Sequence, residues 1–579
     1  MEERRRQSGI AFAVGMIVLL LLGTVLRFVL LGKIPYGLNQ DEASIGYDAW
    51  TLLHYGIDRN GYRYPVYPIT WGSGGGSPLM IYLAVLSTAL FGRSIASLRF
   101  FPALLGAFTI ALFEYLPFIG GHAGDRAEKN GSLADPDGDG VRRGKAILGC
   151  CLGLLLAVNP WHFILSRWAL DANTLPFFEL AAICLFVSAA VRDSGRGRRV
   201  RYLLSAAVFA ITPYAYGSAT VVVPIALIVL AVCAIRMGRM NGRELGEAVL
   251  VYLAVFFPLG LFFLINKLGL SPIRTPWFSV PVFTSSRSVF STAATLPSMI
   301  KNSMRYLMVF LTIGSEDGEI ACNYIPGFAQ CYRFTAPLTI GGAALCFRGA
   351  FSSRGREGMS IRCRISDVCF LVLTGATILF TLFIEPDINR VTLLLLPILY
   401  FQGRALAALL GLFWGRKGEQ TRMSLRFLQS AGIAFVVGIA LAAGLFFHDY
   451  FGSRYASLTR ESFMPGYPEA VEEAVRLAGD DRQILSTYTH LSAPFIIALY
   501  VAETPPDVFL STVRWKDPGA EFRVADRFAG FSFGLEDTGL IDLEKTVLIL
   551  HVSEAERFAA AGLSRTETFG DYVVVSIPR

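Results

Sequence analysis

Asp41 and Glu42 are adjacent acids a few residues beyond an apolar run from Ile10 to Gly32. A carboxylate in that place can act as a general base on an incoming hydroxyl, or ligate a hard cation. The ordinary alternative is a solvated pair at a loop turn, because exposed carboxylates are common. The residues just downstream favour chemistry. Ala43, Ile45, Tyr47 and Trp50 make the amphipathic start of a helix suited to a membrane interface, with aromatics at headgroup depth. An acid there meets the head group that a lipid presents.

Two more polar clusters sit at the ends of apolar segments. One is NPWHFILSRWALDAN, which contributes Ser166, Arg167 and Asp171, with His162 read as a packed polar aromatic. The other is IEPDINRV, with Glu385, Asp387, Asn389 and Arg390. Arginine at a membrane boundary can grip a phosphate with its planar fork, or simply snorkel, and both readings stand. DPDGDG from Asp135 begins like a calcium loop, but its twelfth position is Ala146 where a bidentate Glu belongs. It reads as a linker. Gly74, Gly75 and Gly76 lack the flanks of a phosphate loop and read as a mobile connection before Pro78.

The elements that position these residues follow from composition. The 579 residues are 53% hydrophobic and 17% charged, with a mean hydropathy of +0.50. Soluble domains carry ~25% charged residues, so a soluble class is excluded. The net charge of +7 comes from short clusters between apolar segments, not from a basic stripe interleaved with aromatics, which argues against nucleic acid as a partner.

Spans are expected near 10–32, 97–119, 146–165, 174–191, 202–216, 218–235, 247–265, 334–347, 366–384, 391–413 and 427–447. Pro78–Phe91 decides the topology, because its ~14 apolar residues are too few to cross a bilayer. Left out as a span, it puts every basic cluster on the cytoplasmic side, as the Lys/Arg bias requires. The N-terminus is then cytoplasmic, and Asp41, Asp171 and Arg390 share the outer face.

The expected fold is therefore mainly α. It is a polytopic membrane domain of about eleven helices over 1–447, followed by an extracytoplasmic α/β domain over 448–579. In that tail Pro468–Ala478 reads as a helix, while Ile484–Thr487, Val508–Ser511, Thr546–Val552 and Tyr572–Ile577 read as strands. Among the nine cysteines, Cys322 and Cys331 flank a Pro326–Gly327 turn on the expected outer side, and a disulfide is predicted between them.

The order of these motifs resembles a known family. D-E precedes an aromatic-rich helix, then come G-I-D-R-N-G, S-P-L-M-I-Y, S-L-R-F, N-P-W-H-F-I-L-S-R-W-A-L-D-A-N and N-R-V-T-L-L-L-L-P. The sequence is similar to the GT-C glycosyltransferases related to protein O-mannosyltransferases and lipid A aminoarabinose transferases. The likeness covers about residues 10 to 450 and is weakest in the tail.

The resemblance implies an inverting transfer of sugar from a polyprenyl-phosphate donor to a lipid, glycan or protein acceptor outside the cytoplasm. It makes Asp41 the catalytic acid, Glu42 its companion, Asp171 the second acidic position, and Arg390 the basic residue near the donor phosphate. Arg167, Lys301 and Arg305 are further candidates for that positive charge. A divalent metal stays open. The extra luminal domains of the eukaryotic mannosyltransferases are not found, which favours a prokaryotic relative. The rival readings are a transporter or flippase of a lipid-linked substrate, against which the lack of an internal repeat counts, and a scaffold protein.

Overall fold

The computed structural model describes residues 2–72, 74, 76–120, 139–284, 295–311, 321–351, 360–384, 387–411, 422–535, 542, 544–556 and 564–577. Glu385 and Asp135 lie outside the described residues.

Each segment anticipated as a span contains a helix, but the one expected over 146–165 breaks at Asn159, which caps a short second helix, Pro160–Leu165. Among the described residues, eight helices are long and apolar enough to cross a membrane: Gly9–Phe28, Ile95–Phe118, Asp171–Ala190, Ala219–Arg236, Gly242–Leu268, Ile361–Thr381, Ile388–Gly411 and Phe427–Phe451. The remaining three expected spans fall on Asp139–Ala157 and Arg196–Ala215, which begin with basic residues, and on the 16-residue helix Ala336–Phe351. The first helix, α1 (Glu2–Phe28), turns Ile10, Val14, Ile17, Leu21 and Val25 outward, each more than half exposed. Apolar surface this continuous needs lipid against it. The chain is a multi-pass integral membrane protein.

Next come α2 (Gln40–Tyr55), α3 (Pro78–Phe91) and α4 (Ile95–Tyr115). Helix α2 begins at Asn39, whose side chain accepts from the Asp41 amide while Glu42 reaches back to the Asn39 amide, a capping box. It ends at Gly56 in the left-handed region, φ 70°, where glycine has no Cβ to clash. Helix α3 keeps the 14 residues expected of it, starting from proline in its first turn.

A seven-stranded sheet follows the last long helix. Its order is Arg514–Trp515, Ala525–Phe528, Phe531–Phe533, Gln483–Ser486, Thr546–His551, Tyr572–Ser576, Ser564–Phe569. Gln483–Ser486 runs parallel to both neighbours, and the outer pairings are antiparallel. Three of the four expected strands are present. Val508–Ser511 instead lies in the helix Pro506–Thr512, which buries Phe509; so short an apolar run does not distinguish the two periodicities.

Two buried arginines lock the start of the chain to the bundle. Arg27 of α1 donates to the Leu156 and Ala157 carbonyls at the end of Asp139–Ala157, and to His162 Nδ1 at 2.7 Å. Arg167 returns the favour: its Nη1 donates to the Leu26, Arg27 and Val29 carbonyls, its Nη2 to Ile34, and its Nε to the Tyr450 hydroxyl. Each guanidinium satisfies carbonyls that a helix end leaves without an intrahelical donor. Leaving one such buried group unpaired costs about 1–3 kcal/mol. Detergent-solubilised Arg167→Ala is therefore expected to unfold well below the wild-type temperature in a thermal melt, and an unchanged melt would contradict this role.

Candidate functional site

The site is built around the first turn of α2. Glu42 is fully buried and forms a bidentate pair with Arg99 of α4, Nε to Oε1 at 2.8 Å and Nη2 to Oε2 at 2.7 Å. Glu42 Oε1 also accepts from the Ala169 amide at 2.9 Å, and Oε2 from the Asn39 amide at 3.3 Å. All four lone-pair positions of the carboxylate are taken. The carboxylate expected to accompany the catalytic acid is thus engaged on every side by Arg99 and the Asn39 and Ala169 amides.

Asp41, beside Glu42 in the same turn, is only half-buried. Its Oδ1 accepts from the Trp71 indole N–H at 3.2 Å. Burial and the neighbouring Asp171 carboxylate push Asp41 up to about 6, with Glu42 adding to the rise and the Trp71 bond and Arg59 opposing it. The positive end of the α2 dipole would favour the charged form, so burial and like charge win here. A carboxyl brought near the working pH is a better base than an ordinary one.

Asp171 lies where expected, at the start of the turn before Leu175–Ala190. Its Oδ2 accepts from the Ser77 amide at 3.1 Å and hydroxyl at 3.0 Å, and Oδ1 from the Ala172 amide. It therefore ties the start of α3 to the bundle while its charge reaches Asp41. Ser77 went unnoticed in the sequence, although Ser-Pro before an apolar run is a helix-start signal.

Trp71 is held by a structure hidden in G-I-D-R-N-G. Arg59 pairs with Asp48 of α2, Nε to Oδ1 at 3.0 Å and Nη2 to Oδ2 at 2.8 Å, and donates to the Ser44 carbonyl and hydroxyl. Asn60 donates to the Ile69 carbonyl at 2.6 Å. The glycine run is more than a loose connection: the Gly74 carbonyl accepts from the Thr70 and Trp71 amides, and the Gly76 amide donates to the Thr70 hydroxyl.

On the other side of the cleft, Asp387 caps the turn Ile388–Leu394 by accepting from the Asn389 amide. Arg390 is half-buried, 3.9 Å from Asp387 Oδ2. The Tyr306 hydroxyl accepts from the Asp387 amide, and the buried Asn323 donates to Asn389. Tyr216 lies within electrostatic range of Asp171, Asp387, Arg390 and Tyr306. Cys322 lies within range of both Asp41 and Asp387 and links the two sides. Tyr216, Tyr306 and Asn323 carried no sequence signal, because lone polar residues in apolar segments look alike.

The other candidates divide. Arg305 is half-buried on Leu296–Phe310, within range of Tyr306, and Lys301 is exposed one turn earlier on the same stripe. Arg167 is fully buried with its donors spent on carbonyls, so it is no phosphate ligand. The expected disulfide is not formed: Cys322 and Cys331 are both buried free thiols. Cys331 accepts from Asn159 at 3.2 Å, while the Cys322 carbonyl accepts from Tyr455, so each is drawn to a different helix. His162 is packed as expected. Among the described residues no group of three or more His, Cys, Asp and Glu could hold a metal ion.

No family model and no curated protein sequence matches the chain. Solved structures do. ArnT from Cupriavidus metallidurans in the apo state aligns at TM-score 0.53 and 14% identity, over 98% of this chain and 98% of that one. The same enzyme bound to undecaprenyl phosphate aligns at TM-score 0.51 and 12% identity, over 97% and 98%. The Archaeoglobus fulgidus oligosaccharyltransferase tethered with an acceptor peptide aligns at TM-score 0.50 and 12% identity, over 85% of this chain and 63% of that one. The chain has the same fold as these ArnT structures.

The carboxylate pair makes a pH prediction. If a reaction needs ionised Asp41, its rate falls as pH drops through about 6 and the carboxylate takes up a proton. Asp171→Asn removes the repelling charge, so the acid limb of a rate-against-pH profile is expected to move to lower pH.

Proposed function

We propose that the chain is an inverting glycosyltransferase that moves a sugar from a polyprenyl-phosphate donor to a lipid, glycan or protein acceptor outside the cytoplasm. The observation that carries this reading is the half-buried Asp41 carboxylate, pushed up to about 6 by burial and the neighbouring Asp171. ArnT has the same fold and has been captured with undecaprenyl phosphate, which supports the donor class.

In the proposed reaction Asp41 takes the proton of the acceptor hydroxyl as its oxygen attacks the anomeric carbon. The bond from that carbon to the phosphate oxygen breaks on the opposite face, and the polyprenyl phosphate leaves with the electron pair. The leaving group is already acidic, so no general acid is required. Arg390, with Arg305 and Lys301 behind it, offsets the charge that grows on the phosphate. Asp171 raises the basicity of Asp41 and holds the α3 start. A divalent ion at Asp41 and Asp171 would find two carboxylates and would draw its other ligands from phosphate and water.

The basic ends of Asp139–Ala157 and Arg196–Ala215 support a cytoplasmic face opposite the site. A site and C-terminal sheet outside the cytoplasm follow from that orientation.

Asp41→Asn is nearly isosteric and is expected to abolish transfer while leaving membrane insertion intact. Mass spectrometry of glycans made in cells carrying wild type or variant checks this, and a normal product from the variant contradicts the assignment. Arg390→Lys keeps the charge and loses the planar fork. Weaker binding of undecaprenyl phosphate to the purified variant is expected, and still weaker binding to Arg390→Ala; equal binding by all three would move the phosphate elsewhere.

A further inference from the structure

Arg523 belongs to the C-terminal sheet region but reaches the wall of the cleft. Its backbone amide donates to the Trp71 carbonyl at 3.1 Å, and Phe522 bridges to Gly72 as an antiparallel pair. The Phe522 ring lies 6.5 Å from the Trp71 ring, whose indole N–H is bonded to Asp41. Gly72 makes the approach possible. It sits at φ 96°, and a Cβ there would stand 2.7 Å from Arg523 Nε. A third segment closes on the same point, since the Thr284 amide and hydroxyl both donate to the Gly72 carbonyl.

This guanidinium is under-used. Its carbon lies 4.7 Å from the Trp515 ring centroid, a stacking contact, but Nε is buried with no hydrogen-bond partner among the described residues. Burial lowers its affinity for a proton, and no described carboxylate offsets the effect. Arg27, Arg99 and Arg167 show the contrast: each of those buried cations spends its donors on carbonyls or on an acid. A partly buried, stacked arginine without an acid matches an anion that arrives from outside.

Its place also says which anion. Arg390 stands with Asp387, Tyr306 and Tyr216, and Asp171 and Cys322 connect that group to Asp41. Arg523 is reached from Asp41 through Trp71 instead. The two cations are thus linked to Asp41 through different side chains, which suits one to the leaving phosphate and the other to the second substrate.

We propose that Arg523 binds an anionic group, phosphate or carboxylate, carried by the acceptor, with Trp515 as the aromatic wall beside it. The acceptor assignment rests on the function proposed above, and the binding itself does not.

The test is calorimetric titration of the full chain in phosphatidylcholine vesicles with glucose 6-phosphate, glucuronate and glucose. At least one anionic probe is expected to bind and neutral glucose to bind far more weakly; the stronger anion tells phosphate from carboxylate. Arg523→Gln is expected to weaken that binding by about tenfold or more, Arg523→Lys by less, and neither to change binding of undecaprenyl phosphate. Thermal melts identify a variant that fails to fold, in which case the Lys variant carries the comparison. Equal binding of the anionic probe by wild type and a folded variant overturns the proposal, as does wild type binding neither anion better than glucose. Loss of undecaprenyl phosphate binding with the small anions unaffected would assign Arg523 to the donor and also overturn it. Should Asp41→Asn retain transfer, the function fails while these titrations still decide the anion site.

Discussion

A sealed ion pair, Arg99 to Glu42 at 2.7 Å with both side chains shut off from solvent, fixes the geometry on which the cleft depends. Such a pair is weak evidence for stability, because desolvating two charges costs several kcal/mol per ion. Its effect here is directional. Adjacent residues on a helix point about 100° apart. With Glu42 pinned inward by Arg99 and the Ala169 amide, Asp41 has to face the cleft. Arg99 also donates to the Leu31, Pro35 and Gly37 carbonyls, so the same side chain holds the connection that leads into α2.

Helix α2 is wedged between two cores. One is the helical bundle, reached through Arg99; the other is the sheet region, where Tyr47 donates to the Thr504 carbonyl and packs against Phe509. The Asn39 side chain donates to the Ser462 carbonyl, and Ser492 donates to Gln40. The residues on both sides of Asp41 are thereby fastened to the C-terminal region, and Trp71 packs against Phe495 of that region. The sheet therefore does more than sit beside the bundle. It helps hold the carboxylate and its indole partner in place.

Much of this was legible in the sequence. Runs of apolar residues report helix length directly, and α3 keeps the bounds its composition suggests. Asp41 was legible because an acid beside a membrane boundary stands out against apolar neighbours. The division of labour among the charged residues was not. Asp41 and Glu42 differ in role through their directions on one turn, and Arg167 owes its role to the distant carbonyls that take up its donors. Those partners lie more than a hundred residues away in sequence for Arg167, as in its bond to the Arg27 carbonyl. The same blindness produced the expected disulfide, since a turn between two cysteines says nothing of the helices that draw them apart. Val508–Ser511 misled for a local reason, because four residues carry too little periodicity to separate helix from strand.

The claim at the centre of the account is that of two adjacent acids one does chemistry and the other holds it in place. The pH dependence of sugar transfer by Glu42→Gln tests this most directly. If Asp41 is the base, the variant loses stability and rate, yet its acid limb persists near pH 6 or slightly below, since a repelling charge has gone. Disappearance of the acid limb in Glu42→Gln, with the limb intact in Asp41→Asn, would contradict it.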